Sequence, residues 1–189
     1  MIGQNYIQVL NHFVPACEQE LDDHKIIMDL ITQYPDTILT RKNPVAHLTA
    51  SAFILNSQRD KCLMVYHNLY HSWSWSGGHA DGDPDLFAVA CREAHEETGI
   101  IHLNPLSSDI ISLDILPVFA HIKHQNHIST HLHLSVAYAF VANDSDPLKI
   151  KPDENSAVSW IPIKALDKQC SEDHMLQIYH KILKKVENL

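Results

Sequence analysis

The sequence predicts a mixed α/β sandwich preceded by a helical extension. Three observations carry this. Apolar residues recur with a period of two in several segments from His47 onward, a helical segment is embedded among those strands, and an amphipathic helix closes the chain. With 189 residues, the chain has room for a domain with a substantial core.

Residues 1–43 read as the helical extension, and residues 44–189 as the main domain. In "CEQELDDHKIIMDLITQYP", Leu21, Ile27, Met28 and Ile31 fall at helical spacing and Pro35 stops the run. This segment is expected to pack as an appendage, with dimer contacts or a lid as the alternatives. From His47 the period becomes two. "HLTASAFIL" and "KCLMVYH" read as strands joined by the polar turn "NSQRD". "SLDILPVFAHI" and "THLHLSVAYAFVA" are two more, flanking a His-rich loop, and "AVSWIPI" is a short strand. Over Ser171–Leu189, the residues Met175, Ile178, Ile182 and Val186 share one helical face.

Composition narrows the function classes. A formal charge of −9 rules out a global basic footprint, so no nucleic-acid polymer is expected as a partner. No apolar run approaches a membrane span. The N-terminal stretch has neither a basic start nor a small-residue cleavage site, so no secretory leader is expected. Cys17, Cys62, Cys91 and Cys170 lie far apart and form no CxxC pair. Free thiols in the cytoplasm are the simplest reading.

The chemistry concentrates in "GGHADGDPDLFAVACREAHEETGI", Gly77 to Ile100. Asp83 is a favoured N-cap and Pro84 suits the first helical position, so a helix is expected over about residues 84–98. Gly99 stands where a left-handed C-cap belongs. Leu86, Val89 and Ala90 form an apolar stripe. Glu93, Glu96 and Glu97 sit at i, i+3 and i+4 and share a face. Three carboxylates on one turn repel each other. Arg92, at i−4 from Glu96, cannot neutralise them all, whereas a hard divalent cation can. A solvated charged face is the plainer alternative.

At these offsets the segment resembles the Nudix box: Gly, five residues, Glu, seven residues, then Arg-Glu-apolar-x-Glu-Glu-x-Gly-apolar. Gly78 matches the first glycine, and Arg92, Glu93, Glu96, Glu97, Gly99 and Ile100 match the closing part. Ala94 is smaller than the usual aliphatic residue. Pro84 stands where the pattern has its first Glu, and Asp81, Asp83 or Asp85 are the neighbours that could substitute. Weaker likeness runs through "WSGGH" and "DENSAVSWIPI".

The resemblance implies a Nudix-type α/β/α sandwich with a mixed β-sheet. It implies Mg²⁺-dependent hydrolysis, with Mn²⁺ as a substitute, of a phosphoanhydride bond in a nucleoside diphosphate linked to another group. Glu93, Glu96 and Glu97 would be metal ligands, joined by the carbonyl of Gly78. Arg92 would hold a glutamate in position. The proton of the attacking water would pass to a carboxylate, Glu97 or the later Glu154 of "KPDENSAVSW". A homodimer is an expectation of the same kind.

His79 is expected to contact substrate, and Trp75, with Trp73 just before it, offers a ring for stacking. His131 and His133 face one side of a strand. They are read as pocket-lining residues or substrate contacts, with a zinc site closed by His124 or His127 as a further option. His47 is expected to be a satisfied, partly buried residue. Two rivals to the hydrolase remain. One is a Nudix-fold module that binds nucleotide without cleaving it, which Pro84 favours. The other is a zinc protein organised by the histidine loop.

Overall fold

The structure, a computed structural model, describes residues 6–123 and 125–189. In chain order the elements are α1 (Tyr6–His12), α2 (Glu18–Gln33), β1 (Ala46–Asn56), β2 (Lys61–His67), β3 (Ser72–Ser74) and β4 (Ser76–His79). Then come α3 (Leu86–Thr98), β5 (Asn104–Pro105), β6 (Ser112–Val118), β7 (His121–Lys123), β8 (Asn126–Ile128) and β9 (His131–Ala142). The chain ends with β10 (Asn155–Pro162), a single 3₁₀ turn, α4 (Leu166–Gln169) and α5 (Asp173–Val186).

β1 is buried at every position, as a strand covered on both faces must be. Its alternation sorts the two layers. Leu48, Ala50, Ala52 and Ile54 point into a core shared with Leu10, Ile27 and Ile31 of the first two helices and Leu86, Val89 and Ala90 of α3. Phe53 and Leu55 point the other way, into a core completed by Ile178, Tyr179 and Ile182 of α5. The expected α/β/α sandwich is therefore present, and the sheet is mixed. β1 runs parallel to β9 from Ala46–Leu132 to Asn56–Ala142, and every other pairing is antiparallel.

The N-terminal helices share the main core. Glu20 of α2 is fully buried and accepts from Lys185 Nζ at 2.5 Å, with Lys181 Nζ at 3.2 Å. Lys181 also reaches Asp114 of β6. Burial alone would raise the Glu20 carboxyl, but Lys185, the Ala16 amide and Lys181 hold it below its ordinary range. Leu21, expected on the buried stripe, is 44 % exposed; Ile27 and Ile31 carry that stripe with Glu20.

One irregularity of the sheet makes the cleft. β1 and β2 pair only at Ile54–Leu63 and Leu55–Cys62. Beyond that they diverge, β4 taking the freed edge of β1 at Thr49–Ala52 and β3 that of β2 at Val65–His67. A cleft of about 1030 Å³ opens there, at the large end for a small-molecule site. No helix among the described residues is long and apolar enough to cross a membrane.

Candidate active site

Helix α3 carries the acidic wall of the cleft. It starts at Leu86, two residues later than expected, because Asp85 is the N-cap, accepting from the Ala88 amide at 3.0 Å. Pro84 lies outside the helix and is exposed. Asp83 accepts from the Asp85 amide at 2.9 Å, which tightens the turn, and its second oxygen lies 3.5 Å from Arg92 Nη1. At the other end Gly99 has φ 73° and donates its N–H to His95 O, the left-handed cap the sequence indicates. A side chain at Gly99 would run into the backbone of Lys149, whose amide donates to Thr98 O at 2.8 Å. That contact lays the segment after β9 across the end of the helix.

The glutamates face β4. Glu97 is only 4 % exposed, and its Oε2 accepts from the Gly77 amide at 3.0 Å. Burial pushes its carboxyl up to about 8; the Gly77 N–H works against this, while Glu154 and Glu93 beside it add to it. Glu93 is half-buried, raised by burial and then by Glu96, with Lys151 and Arg92 opposing. Gly78 allows this approach, because a Cβ there would collide with the Glu93 carboxyl. Glu96 is the exposed member.

Two cations hold the acids. Arg92 lies 3.3 Å from Glu93 Oε1, 3.5 Å from Asp83 Oδ2 and 3.9 Å from Glu96 Oε1. Lys151 lies 3.1 Å from both Glu96 Oε2 and Glu154 Oε2. Burial works against the Lys151 charge, but its bonds to Glu96 and Glu154 win and hold the ammonium well above the usual lysine range. Sequence reasoning did not single out Lys151, nor Asn155. Asn155 Nδ2 donates to the Glu97 carbonyl at 2.9 Å, and its Oδ1 accepts from the Lys151 amide at 3.2 Å. This buried amide pins the loop bearing Glu154 to the helix bearing Glu97. Its only sequence signal was its place next to Glu154.

Trp75 is 7 % exposed and packs edge-on against Tyr179, whose hydroxyl accepts from the Trp75 amide at 3.2 Å. The indole packs mainly into the core while still lining the cleft wall. Trp73, half-buried, sits edge-on to Tyr66.

The histidines gather at the other end of the cleft. His133 stands opposite His47 in the parallel β1–β9 pairing, and His131 lies two residues away on the same face. His79 of β4 stands opposite Thr49, two residues from His47. All four rings meet, with centroids 4.7–5.3 Å apart along the contacting pairs. His47 is not satisfied as expected: its Nδ1–H donates to Asn43 O at 3.1 Å, but its buried Nε2 has no protein partner among the described residues. Burial, then the neighbouring rings, push the His133 imidazole down to about 2. His127 is exposed on the β7–β8 hairpin and is not one of the four. His124 falls outside the described residues.

The acids fit a hard divalent cation. Five carboxylates (Asp83, Glu93, Glu96, Glu97 and Glu154) face two basic side chains. Fully ionised, the set carries three excess negative charges, and its donors are oxygens.

Comparison with known proteins agrees with this geometry. The family model for the NUDIX domain matches residues 45–182. Among solved structures, the E. coli dihydroneopterin triphosphate pyrophosphohydrolase is similar at 15 % identity and TM-score 0.55, over 75 % of this chain and 96 % of that one. The NUDIX domain of Shewanella oneidensis NrtR complexed with ADP ribose is similar at 16 % identity and TM-score 0.53, over 82 % and 97 %. A C. elegans Ap4A hydrolase binary complex gives 17 % identity and TM-score 0.51, over 74 % and 96 %. These likenesses concern the fold. No curated protein matches the chain.

Proposed function

The chain belongs to the NUDIX family, and from that premise we propose that it is a hydrolase of nucleoside diphosphate derivatives. Water attacks one phosphorus of a phosphoanhydride, the P–O bond to the other phosphate breaks, and two phosphate esters leave. The observation that carries this reading is the buried Glu97 and the half-buried Glu93 pressed against Gly77 and Gly78, an arrangement unfavourable without a cation. Glu93, Glu96, Glu97 and the Gly78 carbonyl would hold that ion, with Mg²⁺ the first choice and Mn²⁺ a substitute. When bound, the ion neutralises phosphate oxygens and acidifies water.

The side chains do the rest. Arg92 fixes Glu93 and Glu96 in one orientation. Asp83 meets Arg92 and takes up the supporting place that Pro84 leaves. Glu154 takes the proton of the attacking water in this reading, which its hydrogen bond with Glu97 and its ion pair with Lys151 support. The ADP ribose bound in one similar structure, and the Ap4A that names the hydrolase of another, support a nucleotide-sized substrate for a cleft of this volume. With free cysteines and no basic footprint, we place the protein in the cytoplasm acting on a small molecule.

The test is a substrate panel with Mg²⁺: nucleoside triphosphates, ADP-ribose, other nucleotide sugars, dinucleoside polyphosphates and NADH, read by chromatography of products. Cleavage between phosphates in at least one compound is expected. Nucleotide binding without cleavage across the panel would replace the hydrolase with a binding module.

A further inference from the structure

The four histidines at the far end of the cleft have a geometry that packing alone does not require. One ring nitrogen from each of His47, His79, His131 and His133 lies within 4.8 Å of the other three. His131 Nε2 and His133 Nε2 are 3.3 Å apart. In a tetrahedral site with Zn–N bonds of about 2.0–2.1 Å, the ligand nitrogens lie about 3.3–3.4 Å from one another. One edge of that tetrahedron is already present, and the widest pair needs to close by about 1.4 Å.

The outer contacts are those of ligand histidines. His47 Nδ1–H donates to the Asn43 carbonyl and His131 Nδ1–H to the Ser129 carbonyl at 2.8 Å. Each bond fixes a tautomer whose Nε2 carries a lone pair. Asn43 is itself anchored, its Oδ1 accepting from the Val45 and Ala46 amides at 3.0 and 3.2 Å. The Nε2 of His47, 4 % exposed as a residue, has no protein partner among the described residues. A buried imidazole lone pair without a partner is costly, and a cation at the centre of the four rings removes that cost.

We propose that His47, His79, His131 and His133 form a closed tetrahedral Zn²⁺ site, distinct from the acidic site on α3. Four neutral imidazoles suit a borderline ion such as Zn²⁺ and not Mg²⁺. Binding asks His133 to adopt its Nδ1–H tautomer, because its Nε2 must turn a lone pair to the ion. Four protein donors leave no open position, so the ion is structural. It joins β1, β4 and β9 at the point where β4 delivers Gly78 to Glu93. Ligation takes His79, His131 and His133 out of direct substrate contact. It leaves in their place a doubly positive centre in the same cleft, attractive to a polyphosphate.

The probe is the metal alone. Full-length protein, stripped with chelator, is titrated with Zn²⁺ and separately with Co²⁺, in excess Mg²⁺ to occupy the oxygen site. One equivalent of Zn²⁺ per chain is expected, and the Co²⁺ form should show the intense visible absorption of a tetrahedral complex. His131→Ala and His133→Ala should each weaken Zn²⁺ binding by at least about 100-fold. Glu93→Gln should leave it within about threefold, because its carboxylate is not a donor to this site. The weak absorption of octahedral Co²⁺ in the wild type would overturn the proposal even if the variants fail to fold. Zn²⁺ binding lost in Glu93→Gln but kept in both histidine variants would overturn it as well. Neither result depends on whether the protein cleaves any substrate.

Discussion

Replacing Glu97 by Gln should make the cation-free protein more stable while removing its activity. Burial pushes the Glu97 carboxyl up to about 8 in the fold, against an ordinary value of 4.5. Below pH 4.5 both folded and unfolded chains hold the proton, and the group costs nothing. From there to about pH 8 the unfolded chain releases it and the folded chain keeps it, so stability falls as pH rises and levels off above about 8. The slope is about 1.4 kcal/mol per pH unit, which accumulates to about 3 kcal/mol at about pH 7. Gln keeps the acceptor for the Gly77 amide and gives Glu154 a donor in place of a second carboxyl. In chelator, Glu97→Gln should therefore exceed wild type by about 3 kcal/mol near pH 7, or roughly 6–12 °C in melting temperature. The gain should vanish near pH 4.5. Denaturant unfolding at the two pH values reads it directly. A gain independent of pH, or a loss at neutral pH, would refute the claim that Glu97 is held against its charge.

Three further outcomes follow from the same contacts. Gly78→Ala sets a methyl against the Glu93 carboxyl and should weaken Mg²⁺ binding by about tenfold or more, read by calorimetry. Asp83→Asn should lower cation affinity more than Pro84→Glu raises it, because Asp83 meets Arg92 and Pro84 is exposed outside the helix; the reverse order would restore the importance of position 84. Glu20→Ala strands the half-buried ammonium of Lys185 and removes a partner of Lys181, and should cost about 3 kcal/mol or more in denaturant unfolding.

The helix of the box was legible because its signals are local: an apolar stripe, caps at both ends and three carboxylates on one face. Its start was misplaced by two residues because Asp83 and Asp85 flank Pro84 and both are good caps; only the turn geometry chooses Asp85. The long strands were legible from their alternation. β3, β4 and β5 span two to four residues each, too short for a period to register, and the partners of β4 and β5 are remote. The histidine cluster shows the limit most clearly. His131 and His133 were paired by strand period alone, but His47 joins them only through the parallel β1–β9 register. His79 joins through β4. Local pattern pointed instead to His124 and His127. Lys151 and Asn155 were missed for the same reason, since their partners lie on α3.

The most direct test of the central reading is the rate of phosphoanhydride cleavage as Mg²⁺ is titrated into wild type and Glu97→Gln, on the best substrate of the panel. Turnover should rise and saturate with Mg²⁺ in the wild type and fall by about a hundredfold or more in Glu97→Gln. Turnover in that folded variant equal to wild type, or turnover indifferent to Mg²⁺, would contradict that reading.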